Sequence, residues 1–255
     1  MLKTRIIPTL LRKELGLVKG KKFRELRRVT DVMPLIKIYN KRDVDELILL
    51  DIDTLNSKKI NLDFVSIVAQ ELNIPFAYGG GIKNFIDAKN ILYSGADKII
   101  INSALYDNPN IVNEISDHIG AQSIVVSLDV KKIDNQYYCF SHCGTKNSNI
   151  NISDFLNILS NQKFGEIILC SIDNEGTMKG YDLNLIETVS KLTNHAIIAS
   201  GGAGSYEDMY RALKAGASAV AAGSIFHFTD LTPAGAKKYL YKKGISIRDG
   251  FKFEY

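Results

Sequence analysis

A chain of 255 residues, 45% of them hydrophobic, can form one large α/β barrel or two smaller domains around a well-buried core. The formal net charge of +4 is small, and lysine and arginine are scattered without a basic block or interleaved aromatics, which disfavours nucleic-acid binding. No apolar run approaches the roughly 20 residues of a membrane span, no apolar leader opens the chain, and three cysteines without paired spacing argue for a reducing, cytoplasmic setting.

Short β-branched runs alternate with helical patterns from end to end. Residues 5–10 read as the first strand, followed by a long connection over 11–30, rich in Lys and Arg, and a helix over 33–41. Strand 46–52 precedes helix 63–71, strand 74–78 precedes helix 85–94, and strand 98–102 precedes helix 109–119. Strand 124–129 leads into a second long connection, 130–152, in which the segment 136–142 looks like a small hairpin, and then into helix 153–162. Strand 166–172 with helix 183–193, strand 196–200 with helix 206–215, and strand 219–222 with helix 232–243 complete the series. Most of the strands are unbroken apolar runs, as expected of strands buried on both faces. Asn61, Ser153 and Ser205 suit N-caps, Pro109 suits a first helical turn, and Gly95 and Gly216 suit helix stops. Eight strands alternating with eight helices in one domain predict a (β/α)8 barrel. A doubly wound open sheet stays as the alternative, because pattern alone does not show closure.

The chain also repeats itself. Tyr78-Gly-Gly-Gly and the later Ser94-Gly-Ala-Asp return as Ala199-Ser-Gly-Gly and Ala215-Gly-Ala-Ser, at a constant offset of 121 residues, as from Gly80 to Gly201. Gly81 matches Gly202, Asp87 matches Asp208, Gly95 matches Gly216 and Ser103 matches Ser224. The pattern divides the single domain into similar halves, roughly 1–122 and 123–243. Gly79-Gly80-Gly81 follows strand three, with Asn102-Ser103 ending strand four. Gly201-Gly202 follows strand seven, with Gly223-Ser224 ending strand eight. Glycine lets backbone N–H groups approach a phosphate, and a short hydroxyl adds a donor; tight turn geometry is the plainer explanation of any single Gly-Gly. Two copies with the same spacing point to two phosphate sites, and hence to a substrate with two charged ends.

Carboxylates mark other strand ends: Asp51 and Asp53 after strand two, Asp129 after strand five and Asp173 after strand six. Such a group faces the barrel mouth, where an acid or base must reach its substrate, or else fixes a loop. Asp129 is the best catalytic candidate, since it closes the apolar run 124–128; strand one, across the barrel, ends without an acid, and Glu14 reads as solvated. Arg5, Glu46, Lys98 and Glu166 each open a strand, so a ring of two positive and two negative charges would close the barrel floor; taken alone it reads as a structural salt-bridge layer. His118, His142, His195 and His227 have no partner at metal or triad spacing and read as structural or surface residues. Cys139 and Cys143 lack a second ligand pair, so no metal is expected.

Taken jointly, 5–8 (Arg-Ile-Ile-Pro), 18–20, 50–52, 79–82, 95–98, 171–173, 176–177, 180–182 and 199–204 resemble the cyclase subunit of imidazole glycerol phosphate synthase over essentially the whole chain. The resemblance implies a two-half barrel in histidine biosynthesis, without a cofactor, forming a heterodimer with a glutaminase subunit docked on the barrel floor. Ammonia would cross the barrel to a substrate carrying a phosphate at each end. By that resemblance Gly80, Gly81, Asn102 and Ser103 bind one phosphate, and Gly176, Thr177, Gly201, Gly202, Gly223 and Ser224 the other, with Lys19, Asp51 and Asp173 at the substrate. Arg5, Glu46, Lys98 and Glu166 match an ammonia gate, and Asp97 a glutaminase-contacting acid.

The family's two catalytic acids follow strands one and five. Asp129 fills the second position; Leu11 occupies the first, and a leucine neither accepts nor donates a proton. Glu175 stands where an aspartate is usual. The stretch 10–20 looks like a divergent branch found with surface-polysaccharide genes, which implies a barrel passing ammonia to a separate sugar amidotransferase that converts an acetamido to an acetamidino group. The sequence reading favours that branch. A working cyclase of histidine biosynthesis is the alternative, and a phosphosugar isomerase of the same half-barrel ancestry ranks last, having no need of a gate.

Overall fold

The computed structural model describes residues 3–14, 16–42, 44–54 and 59–248; Leu15, within the stretch 10–20, lies outside them. In chain order the strands are β1 (Arg5–Lys13), β2 (Gly16–Lys21), β3 (Arg24–Asp31), β4 (Leu47–Asp51), β5 (Phe76–Gly79), β6 (Lys98–Ile101), β7 (Ile124–Ile133), β8 (Gln136–Ser141), β9 (Lys146–Asn151), β10 (Glu166–Ser171), β11 (Ala196–Ser200) and β12 (Ala219–Ala222). The helices are α1 (Val32–Lys41), α2 (Leu62–Glu71), α3 (Phe85–Tyr93), α4 (Ala104–Asp107), α5 (Ile111–Ile119), α6 (Ile152–Leu159), α7 (Leu183–Ser190), α8 (Tyr206–Lys214), α9 (Ser224–Phe228) and α10 (Pro233–Lys242).

Eight of the strands close a parallel barrel in the order β1, β4, β5, β6, β7, β10, β11, β12. The seam is β1 against β12, with Arg5 opposite Ala219 and Pro8 opposite Ala222. The open-sheet alternative is thereby excluded, because β1 also pairs with β4, Leu11 opposite Leu50. Two apolar layers follow from strands that are apolar on both faces. The lumen is filled by Ile7, Ile48, Ala77, Ile100, Val125, Ile168, Ile198, Ala219 and Ala221. The outer layer packs strand residues such as Ile6, Leu49, Tyr78 and Ile99 against helix residues such as Ile36, Val65, Ile91 and Leu185.

The two glycine-rich copies take equivalent places, one between β5 and α3 and the other between β11 and α8. Asn84 caps α3 by accepting from the Asp87 N–H, and Ser205 caps α8 by accepting from that of Asp208. Asp87 and Asp208 in turn accept backbone N–H groups, from Lys83 at 3.0 Å and from Ser205 at 2.8 Å. The repeated aspartate is therefore a helix-starting device.

Four local expectations need correction. The connection after the first strand is an antiparallel ribbon: β1 runs on to Lys13 and pairs with β2, which pairs with β3. Likewise β7 runs on to Ile133, and 136–142 supplies only one strand of a three-stranded meander, β7–β8–β9. Both extensions persist past the barrel rim because an antiparallel neighbour takes up their backbone groups. Asp134 and Asn135, at φ of 47° and 63°, make the β7–β8 turn, a conformation these two residue types tolerate well. Asn151, not Ser153, caps α6, since its side chain accepts the Ser153 N–H. Pro109 precedes α5 instead of opening it, because Asn110 is the cap.

Candidate active site

The C-terminal ends of the barrel strands surround a cavity of about 580 Å³. That size suits a small-molecule ligand, and this is the face where barrel enzymes work. Its wall contains Leu11, Lys19, Asp51, Gly80, Gly81, Asn102, Ser103 and Asp129 on one arc, and Gly176, Gly201, Gly202, Gly223 and Ser224 on the other. Going round the barrel, the glycines after β5 lie opposite those after β11, and Leu11 on β1 lies opposite Asp129 on β7. The two glycine turns are forced by crowding. A Cβ on Gly80 would overlap the Asp51 carbonyl oxygen, and one on Gly202 would overlap that of Gly180.

Asp129 is recessed in the wall. Asn102 Nδ2 donates to its Oδ2 at 3.1 Å and to the Ser127 carbonyl at 2.9 Å. Lost hydration, and then the nearby Glu175 charge, push the Asp129 carboxyl up to about 7, against the opposing bond from Asn102. At neutral pH it therefore divides between acid and base forms, as a proton-transfer group should.

Lys19 reaches the cavity because the β2–β3 ribbon leans across the mouth. The Lys22 N–H donates to the Glu175 carbonyl at 2.8 Å, and a Cβ on Gly176 would overlap the Gly20 carbonyl oxygen. Lys19, only 5% exposed, is salt-bridged to Glu175 at 3.0 Å and lies against Gly223.

Asp51 is 2% exposed, and both its oxygens are engaged. Oδ2 takes the Arg12 guanidinium and the Tyr78 hydroxyl, the latter at 3.0 Å, while Oδ1 takes the Asp53 N–H at 3.1 Å. Burial still leaves the carboxyl above its ordinary range, outweighing Arg12 and Tyr78. Asp173 and Thr177 are not brought into the wall. Asp173 accepts the Lys132 N–H at 3.0 Å, tying β10's loop to the β7 extension, and the Thr177 hydroxyl donates to the Asn174 carbonyl at 2.7 Å. Glu14 is exposed, as expected.

At the other end of the lumen, Arg5, Glu46, Lys98 and Glu166 form one closed ring. Arg5 Nη1 meets Glu46 at 2.5 Å, Arg5 Nη2 meets Glu166, and Lys98 Nζ meets Glu46 at 3.0 Å and Glu166 at 2.8 Å. Burial opposes ionisation of Glu166, yet the bonds from Arg5 and then Lys98 hold its carboxyl below the usual range. Asp97 is exposed beside this ring and accepts the Phe76 N–H at 2.8 Å.

Sequence reasoning missed Arg12, Tyr78, His142 and Cys143. Arg12 is 5% exposed, with its guanidinium over the Phe64 ring at 4.4 Å, so a charged residue is packed between barrel and helix layer. No local signal marks it, since Arg12-Lys13-Glu14 reads as the charged start of a loop. His142 and Cys143 line the mouth instead of the surface or core; no local pattern marks them, because the meander alone carries them there. All three cysteines are free thiols, and no helix among the described residues is long and apolar enough to cross a membrane.

A closed parallel barrel with a cavity at the C-terminal ends of its strands places the chain in the (β/α)8 class. The model for the histidine biosynthesis protein family matches residues 5–232. The chain is 41% identical over 249 residues to the imidazole glycerol phosphate synthase subunit HisF of Thermotoga sp. (strain RQ2), covering 97% of this chain and 98% of that one. It is 42% identical over 250 residues to the HisF subunit of Dictyoglomus thermophilum, covering 97% and 99%. The chain belongs to this family, that of the HisF subunits of imidazole glycerol phosphate synthase.

Proposed function

We propose that this chain is the barrel subunit of an imidazole glycerol phosphate synthase, consuming ammonia supplied by a glutaminase subunit docked on the barrel floor. The observation that carries this reading is the pairing of two features on one lumen: a closed ring of four charges at one end and Asp129 at the other. Between them the lumen is apolar. Neutral ammonia tolerates such a path, whereas ammonium loses its hydration there.

Gly80, Gly81, Asn102 and Ser103 would hold one phosphate of a ribulosyl substrate. Gly176, Gly201, Gly202, Gly223 and Ser224 would hold the other, with Thr177 steadying its loop. Lys19, held by Glu175, adds positive charge beside Gly223, and Asp97 offers the glutaminase an exposed acid. Asp129 serves as acid and base where ammonia adds. The products are imidazole glycerol phosphate and an aminoimidazole carboxamide ribotide.

One observation favours a second reading. Leu11 lines the mouth opposite Asp129, where an acid would complete the pair. In that reading the barrel is a paralogue that hands ammonia to a sugar amidotransferase for surface-glycan amidation and does no cyclisation. Family membership at this identity and coverage favours the synthase. The purified chain, given the bis-phosphorylated substrate and excess ammonium salt, is expected to release both products, and Asp129→Asn to lower kcat by about 10²–10⁴-fold. No release by the unmodified chain would leave the paralogue reading standing.

A further inference from the structure

We propose that His142 is the second proton-transfer group of this mouth, serving Asp129 as the partner that Leu11 does not supply. The inference rests on the reading of the mouth as a site of ammonia addition.

The pairing of Asp129 with Phe140 sets the direction of β8, which runs antiparallel to β7 and so returns toward the barrel. His142 follows β8 directly and lines the cavity. Short contacts tie the main chain at His142 to the Asp129 side chain. Asn102 bonds Asp129 at 3.1 Å, Ser103 Oγ bonds Asn102 Oδ1 at 3.3 Å, and the His142 N–H bonds Ser103 Oγ at 3.0 Å.

His142 Nδ1 lies 2.9 Å from Ser141 Oγ. With Nδ1–H donating to that hydroxyl, Nε2 keeps the lone pair a base needs; the bond made by one ring nitrogen selects the role of the other. The backbone is also held in an uncommon state: His142 and Cys143 both have φ of 53°. Both belong to the tight turn between β8 and β9, which fixes the point at which the His142 ring leaves the main chain.

Asp51 has both oxygens engaged, and Glu175 is salt-bridged to Lys19. Burial pushes the Cys143 thiol up to about 12 and the Cys170 thiol well above its ordinary range, so neither is an anion at neutral pH. Lys83 and Asp107 stand exposed at the rim. Of the titratable side chains lining the wall, Asp129 and His142 are left.

Ammonia's lone pair forms the C–N bond to the ketose carbonyl carbon as the carbonyl π bond breaks. The carbonyl oxygen takes the proton of the Asp129 carboxylic acid, and the added nitrogen loses a proton to His142 Nε2. The site then holds an Asp129 carboxylate, an imidazolium and a neutral amino alcohol.

The test is ammonium-dependent turnover by the full-length chain and by His142→Asn, since asparagine tolerates the left-handed backbone. The variant should keep its melting temperature, lose about 10²-fold in kcat with KM nearly unchanged, and lose one limb of the pH–rate profile. Added imidazole should restore part of the turnover of His142→Ala. Unchanged kcat, or a loss confined to KM, overturns the role of His142 while leaving the proposed function intact. An unmodified chain that turns nothing over removes both.

Discussion

Asp129 carries the clearest pH signature of any single residue. An aspartate in the unfolded chain loses its proton near pH 4, and in the folded site only near 7. Between those values the native state binds the extra proton, so stability falls as pH rises through that window and stays lower above it. Asp129→Asn removes the buried charge. Its melting temperature should exceed that of the unmodified protein at pH 8, and the gap should narrow by pH 5. A gap independent of pH would mean that Asp129 titrates normally. Leu11→Asp adds a carboxylate to the mouth facing Asp129 and should raise ammonium-dependent turnover about tenfold or more if proton transfer limits the rate. Asp129 was legible in the sequence because it ends an apolar run at a strand terminus. His142 was not: its place depends on the β7–β8 register, which single-sequence periodicity does not specify. The placement of Asp173 was not legible, because a carboxylate at a strand end looks the same whether it faces the cavity or takes a loop N–H.

Among the elements, the helix caps Asn61 and Ser205 were readable locally, whereas Ser153 and Pro109 each missed the cap, which is Asn151 and Asn110 respectively. Ser205 and Asp208 make a complete capping box, and Ser205→Ala should cost about 1 kcal/mol, measured by urea unfolding. The β2–β3 ribbon was unreadable for a physical reason. Arg24–Asp31 is exposed or half-buried along its whole length, so no alternation of apolar and polar residues announces a strand. Its tip is held by contacts remote in sequence, chiefly at Gly176. That glycine has φ of 71° and no room for a Cβ against Gly20. Gly176→Ala should therefore lift the ribbon from the mouth and weaken binding of a phosphorylated ligand by about tenfold, read by calorimetry, with a smaller effect on melting. Equal affinity in the two proteins would show that the ribbon's seat does not shape the site.

The barrel as a whole was legible, because eight apolar runs and eight amphipathic patterns admit few architectures; its closure was not, because nothing local states that β1 meets β12. The floor ring tests the connection between the two ends of the molecule. Arg5→Ala leaves two carboxylates sharing Lys98 alone. It should shift the ratio of glutamine-dependent to ammonium-dependent turnover by about tenfold, the scale of one charged hydrogen bond. Equal effects on the two activities would remove the gate assignment.

The β1–β12 seam has a consequence for how the molecule is made. During synthesis Arg5–Pro8 leave the ribosome long before Ala219–Ala222, which they must pair with. Until then the growing sheet has an apolar strand open on one edge, a template for sticking to other chains. Nascent chains stalled before Ala219 should be caught by chaperones, and those that have released Ala222 should not.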